Sequence, residues 1–297
     1  MKSGFIVLNK GTGFSSSAAV AHARHLLPRG TAIGHGGTLD PEAAGVLPLC
    51  VGKATRLFDY IIDRQKIYET LLRLGRDTDT QDAAGSVTAE APVTAGRRAV
   101  EAALPAFTGD ILQTPPMYSA LKRDGKRLYE LARNGVELEL EPRPVRIDGI
   151  EYIGEDGEDG HVLRVYCHRG VYIRTLCRDI AHAVGNCGHM ERLTRTQSGL
   201  FTLDMSVTER EMDRLADEGR LEECLLPMDE PVRYLPEVRL DTAAEKLVRA
   251  GNPVPARFLA NEPAEGPLRL YLGDRFCGIG ERDGSGVRFK CMLLEDE

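Results

Sequence analysis

The sequence predicts an α+β fold built on a mixed, mostly antiparallel sheet with flanking helices, and three features carry that prediction. Apolar and polar residues alternate over 66–75, with Tyr68, Thr70, Leu72 and Leu74 on one face, as a half-buried strand requires. Two further alternating stretches, 145–153 and 161–168, flank a Gly/Asp turn and read as a hairpin. Helical and strand patterns succeed one another without the regular β-α-β alternation of a parallel sheet.

Taken in order, residues 6–8 read as a short buried strand. Ser15 or Ser16 caps a helix to about Leu27, where Pro28 stops it. A glycine-rich loop, GHGGTLDPEAAG (34–45), leads into the apolar strand GVLPLCVG (45–52) and a short helix over 54–62. Beyond the 66–75 strand, GRDTDTQDAAG is a turn, SVTAEAP (86–92) a strand and 94–107 a helix. From 113 to 143 the chain is basic and irregular, with a Pro-Pro breaker and a cluster of Lys122, Arg123, Lys126 and Arg127. That reads as an excursion from the main fold. Residues 172–184 make an amphipathic helix: Ile173, Leu176, Ile180, Ala183 and Val184 form one face, and Arg174, Arg178 and His182 a basic ridge on another. Composition changes after Pro227. Residues 235–255 read as a helix between turns and 268–289 as two or three short strands, so the expected division is a main domain at 1–228 and a small β-rich module at 229–297.

A chain of 297 residues buries a sizeable core without staples. No secretory signal and no membrane span is visible, which makes the expected setting cytoplasmic. Seven cysteines are scattered without a C-x-x-C pair. Cys167, Cys177 and Cys187 lie near His168, His182 and His189, but their spacing fits no common zinc site, and no metal is expected. Net charge is −7, yet the stretch 164–197 holds six arginines against Asp179 and Glu191. A local basic face binds polyanion even when the total is negative.

Three familiar chemistries fail on these residues. GVLPLCVGKAT ends like a phosphate loop, but six residues separate Gly45 from Gly52 and Ala54 displaces the hydroxyl. HGG offers amides for an oxyanion hole, but no G-x-S-x-G elbow accompanies it. DTDTQD packs three carboxylates into a Gly-flanked turn, where solvated aspartates are the default. What remains is Asp40, one carboxylate in a conformationally fixed loop. Such a group suits attack on an electrophilic carbon, or stabilisation of positive charge, at a sugar's anomeric centre. An arginine partner keeps it ionised when substrate excludes water, and Arg174 at a helix start is the candidate.

GHGGTLDPEAAGVLPLCVGKATRL resembles the signature of the TruB family of pseudouridine synthases. KIYETLLRLGRDTDTQDAAG, QTPPMYSALKRDGKRLYELARNG, RGVYIRTLCRDIA and HMERLTRTQSG follow in the family's order, from Phe5 to about Thr202. The tail resembles the small PUA-type RNA-binding module of many bacterial members. One departure is NKGTGFSS (9–16), where Asn9 and Gly11 stand in place of the family's acid and proline.

The resemblance implies an isomerisation of uridine in tRNA, usually at position 55 of the T-loop, without cofactor or metal. The glycosidic bond breaks, uracil turns, and C5 bonds to C1′. Asp40 takes the place of the essential aspartate, which either attacks C1′ or removes the C2′ proton. Tyr68 matches the tyrosine that stacks on the base and assists proton transfer at C5. Arg174 matches the aspartate's partner. His35, Tyr172 and Leu193 match positions around the extruded nucleotide, which must be flipped to be reached. Lys122, Arg123, Lys126, Arg127 and Arg178 are expected to contact RNA backbone, and the excursion at 113–143 to grip the T-loop. No obligatory protein partner and no membrane are implied. The alternatives are a guide-RNA-dependent synthase subunit and an RNA-binding or folding protein whose catalysis is dispensable.

Overall fold

The computed structural model describes residues 2–119, 121–123, 125–136 and 138–295, and the side chains of Lys122, Lys126, Arg127 and Arg133 lie outside that description. β1 (Gly4–Lys10) leads into α1 (Ser16–Leu26), capped by Ser15, whose side chain accepts from the Ala18 amide. β2 (Ile33–His35) and β3 (Ala43–Val51) bracket the glycine-rich loop. A 3₁₀ turn and α2 (Phe58–Ile62) then reach β4 (Lys66–Leu74). β5 (Arg76–Thr78) pairs with β6 (Val87–Glu90) as a side hairpin, followed by α3 (Arg97–Ala103) and β7 (Gly109–Gln113). The excursion holds a two-stranded ladder, β8 (Lys122–Arg123) with β9 (Lys126–Arg127), and α4 (Leu128–Arg133). β10 (Arg143–Asp156), β11 (Gly160–Cys167), α5 (Ile173–Ala183), β12 (Gly188–Ser198), β13 (Phe201–Thr202) and α6 (Glu209–Asp217) complete the first unit. β14 (Glu237–Leu240), α7 (Glu245–Arg249), β15 (Leu268–Leu272), β16 (Arg275–Asp283) and β17 (Gly286–Met292) make the second.

The main sheet runs β1-β3-β12-β4-β11-β10-β7, with β2 beside β3 and β13 beside β12. Its pairings are antiparallel except β3 with β12, which is parallel. The α+β, mostly antiparallel expectation holds. Helices α1, α3, α5 and α6 bury Ala19, Val100, Ile180 and Met212 against one sheet face, where Leu8, Leu47, Leu72 and Val165 point. On the other face Phe5, Val7, Val46 and Phe201 share a core with Ile279, Cys291 and Leu293 of the second unit.

Three sequence expectations change. Residues 235–255 are not one helix: β14 opens the four-stranded second sheet, and α7 is a five-residue helix. The 94–107 helix shrinks to α3 plus a 3₁₀ turn, because Pro105 cannot donate a backbone hydrogen bond. The ridge of Arg174, Arg178 and His182 is split: Arg174 turns inward, whereas Arg178 and His182 stay at the surface paired with Asp179 at 2.9 Å and Asp77 at 2.8 Å. Other arginines of the basic stretch are likewise committed: Arg164 to Glu69, Arg169 to Asp63 and Arg192 to Asp156. Arg195 is 1% exposed, a core residue.

Candidate active site

Two short anchors fix the loop that carries Asp40. The Ser16 hydroxyl donates to the Leu39 carbonyl and accepts from the Leu39 amide, both at 2.8 Å. Behind the loop, buried Lys10 donates to the carbonyls of Gly11, Phe14 and Pro41, and the Gly13 amide also reaches Pro41. These contacts tie the β1–α1 turn to the loop despite the altered NKGTG run. The Ala43 amide bonds the Asp40 carbonyl at 3.1 Å and closes the turn in front of β3. Asp40 is thus both a turn residue and a carboxylate held at a fixed place.

Arg174 meets it. Its Nε lies 2.9 Å from Asp40 Oδ2, with the Asp40 side chain 38% exposed and that of Arg174 only 5%. The other arginine nitrogens are used to hold it there: Nη1 donates to the Thr80 carbonyl at 2.9 Å and lies 3.5 Å from Asp82, and Nη2 donates to the Tyr118 carbonyl at 2.8 Å. A guanidinium satisfied on three sides in this way is oriented before substrate arrives. The DTDTQD segment therefore serves as its seat. Its Gln81 adopts a left-handed φ of 64° and accepts from Thr175 of α5.

Asp40, Tyr68, Tyr172, Arg174 and Leu193 line one cavity of about 260 Å³. Tyr68, on β4, is 8% exposed, and burial pushes its phenol above the ordinary range; burial does the same to Tyr172. Larger clefts beside Arg73 (about 760 Å³) and Met228 (about 780 Å³) lie elsewhere. Convergence of carboxylate, cation and aromatics, rather than size, picks out the smaller one.

Of the remaining predicted residues, His35, Arg123 and Arg178 do not line it. His35 sits on edge strand β2 opposite Leu49; its Nδ1 is buried without a partner among the described residues, and burial lowers its pKa. Arg178 lies one turn beyond Arg174, paired with Asp179. Arg123 is exposed and donates to the Glu139 carbonyl at 3.1 Å. The expected backbone contacts of Lys122, Lys126 and Arg127 rest on side chains outside the described residues. Among the described residues, no group of three or more His, Cys, Asp or Glu side chains is placed to hold a metal ion, and no helix is long and apolar enough to cross a membrane.

Sequence reasoning missed Lys66, Asp82 and Arg195. Lys66 and Arg195 also line the cavity. Extending the alternation of 68, 70, 72 and 74 one step back puts Lys66 on the same buried face, a signal that was available.

The chain is similar in sequence and fold to known proteins. The family model described as TruB family pseudouridylate synthase (N terminal domain) matches residues 24–173. Two TruB C-terminal models match 174–233 and 236–287. The chain is 44% identical to a protein named tRNA pseudouridine synthase B from Aromatoleum aromaticum, over 96% of this chain and 90% of that one. Identity to the protein of the same name from Stutzerimonas stutzeri is also 44%, over 99% and 96%. A solved Cbf5-Nop10-Gar1 complex contains a chain 25% identical, with a TM-score of 0.72, covering 98% of this chain and 85% of that one. Family model and relatives together define a pseudouridine synthase, an isomerase that breaks and remakes a glycosidic bond. Within that class, the chain belongs to the TruB family of pseudouridylate synthases.

Proposed function

We propose that the chain isomerises uridine to pseudouridine in tRNA, at position 55 of the T-loop, without a protein partner and in the cytoplasm. Asp40 acts at the ribose, Arg174 holds and charges it, and Tyr68 meets the base. Tyr172 and Leu193 wall the pocket, and His35, outside its lining, contacts the extruded nucleotide. The observation that carries the reading is the 2.9 Å pair of Asp40 and Arg174 opening onto a cavity that Tyr68 lines. Asp40 is reachable by substrate while its partner is not, which suits a carboxylate that must stay ionised as the base enters.

The target uridine must leave its stack, at a cost of about a few kcal/mol. In this reading, residues 1–228 form the catalytic domain and its 113–143 excursion grips the T-loop. Arg123, Arg178, Lys122, Lys126 and Arg127 meet phosphates, and 229–297 forms a PUA-like module that adds RNA contacts. Identity of 44% to proteins named tRNA pseudouridine synthase B, against 25% to a chain of the Cbf5 complex, favours tRNA acting directly over a guide-RNA assembly.

Purified chain incubated with unmodified tRNA should form pseudouridine in the T-loop. Asp40→Asn should lower turnover by about a thousandfold or more while tRNA affinity changes severalfold, since the chemical step alone loses its carboxylate. Wild-type inactivity on competent tRNA would end this reading, and a normal rate in Asp40→Asn would end the role of Asp40.

A further inference from the structure

The cavity carries more positive charge than holding Asp40 requires. Asp40 offsets Arg174, which Asp82 also approaches; Arg169 is offset by Asp63, and His168 by Asp148 at 3.0 Å. Lys66 and Arg195 remain. Both line the cavity, they are 5% and 1% exposed, and neither has a carboxylate partner among the described residues. Lys66 Nζ donates to the carbonyls of Ile62 (2.7 Å) and Arg64 (3.1 Å). Arg195 donates to the carbonyls of Val46 (2.8 Å), Gly37 (3.0 Å) and Thr38 (3.3 Å). An ammonium has three N–H donors and a guanidinium five, so these bonds leave hydrogens unused on both.

A buried cation without a counter-ion is costly, and folds retain such groups where they act. The two lie close together: a Cβ on Gly37 would sit 3.6 Å from Arg195 Nη1 and 4.0 Å from Lys66 Cε. They also flank Tyr68, with Arg195 Cζ 6.0 Å from the ring centroid. Positive charge therefore gathers beside Tyr68, where the base belongs, and Asp40 is already committed to Arg174.

We propose that Lys66 and Arg195 form a cationic floor that stabilises uracil as an anion after it leaves the ribose. The inference rests on the isomerase reading above. When the C1′–N1 bond breaks, its electron pair departs with the base and yields uracilate. The ribose is left either as an ester of Asp40 at C1′ or, after Asp40 takes the C2′ proton, as a glycal. C5 of the uracilate then bonds to C1′ as the Asp40 ester bond breaks or, on the glycal route, as Asp40 returns its proton to C2′ and the double bond is lost; the C5 proton then leaves and N1 takes up one proton. No electrons enter or leave overall. Negative charge exists on the base only between these events, so fixed cations aimed at it favour the reaction over the bound ground state. Burial, with Arg195 second, lowers the Lys66 pKa to about 8, which records how far water is excluded there.

Lys66→Met tests this, since Arg195 also holds the Asp40 loop and its loss would confuse two effects. The readout is the single-turnover rate of uridine consumption in tRNA, compared with tRNA carrying 5-fluorouridine at the target. Fluorine stabilises the uracil anion itself, so that substrate leans less on the floor. Lys66→Met should slow uridine about 30-fold but 5-fluorouridine only about threefold, with tRNA affinity little changed and Lys66→Arg restoring most of the rate. Equal losses on both substrates, a loss confined to affinity (as a phosphate contact would give), or no loss overturns the inference. An inactive wild type removes the isomerase reading beneath it, whereas an active wild type with any of those three results removes the floor alone.

Discussion

Lys66 begins β4 on the same face as Tyr68, and its low pKa sets a pH signature with two opposite signs. Folded, it titrates at about 8; unfolded, at the ordinary 10.5. Between those values the unfolded chain holds one more proton, so its contribution to stability rises with pH as the buried charge is released. Activity goes the other way, because the floor loses its charge above about 8. Arg195, Asp63 and Arg169 also face Lys66, and its titratable neighbours do not share the window: Cys167 is pushed up to about 12 and burial lifts the Tyr68 phenol above its usual range. The single-turnover rate should therefore fall severalfold from pH 7 to pH 9 in wild type and stay flat in Lys66→Arg, measured side by side. Matching profiles would detach the pH dependence from Lys66. At this scale Asp40, Tyr68 and Arg174 were legible because their types occur in a resembling order. Arg195 was not, because a lone arginine in a basic stretch reads as surface until its strand is known to be central.

Gly45 shows how closely β12, a strand the sequence reading missed, is fitted to β3. The stretch ERLTRTQS is too charged to look like a central strand, yet β12 lies between β3 and β4. Its parallel pairing with β3 places Arg195 opposite Gly45, and a Cβ there would meet the Arg195 carbonyl at 2.2 Å. Gly45 also has a φ of +101°, so any side chain is strained twice over. That close approach seats the Arg195 guanidinium on the carbonyls of Val46, Gly37 and Thr38, linking a strand register to the catalytic loop. Gly45→Ala should cost about 3 kcal/mol or more in denaturant unfolding, since backbone cannot yield as a flexible side chain does. Gly34→Ala, with open space and no left-handed φ, should cost within about 1 kcal/mol. Similar costs at both sites would mean that β3 and β12 can separate without consequence. The hairpin of β10 and β11 was legible from alternation alone. By contrast, α6 went unread within an acidic run, although the Thr208–Glu211 capping box that starts it is a signal the sequence carries.

Across the whole molecule, the change of composition after Pro227 marks a second sheet with a core of its own, built on Val238, Leu268, Cys277 and Val287, but a further cluster is shared between the two sheets. Phe5, Val46, Leu57 and Phe201 of the first unit are buried together with Ile279, Cys291 and Leu293 of the second, and the Phe5 and Phe201 rings lie 5.4 Å apart within that cluster. Polar bonds cross the same seam: Arg56 donates to the Met292 carbonyl at 2.6 Å, and the Tyr234 hydroxyl to the Tyr60 carbonyl at 2.9 Å. A linker-joined module would show none of this and would melt by itself. Here removal of 229–297 would expose a large apolar face of the main sheet, so the module is bound into the catalytic unit's stability as well as into any RNA contact it makes. Leu293 tests the coupling because it is fully buried at the seam, far along the chain from Asp40. Leu293→Ala should cost about 2–5 kcal/mol and move one cooperative transition as a whole, with calorimetric and van't Hoff enthalpies in agreement. Two resolved transitions, with only the smaller displaced, would show instead that the sheets fold independently and that the shared cluster contributes little.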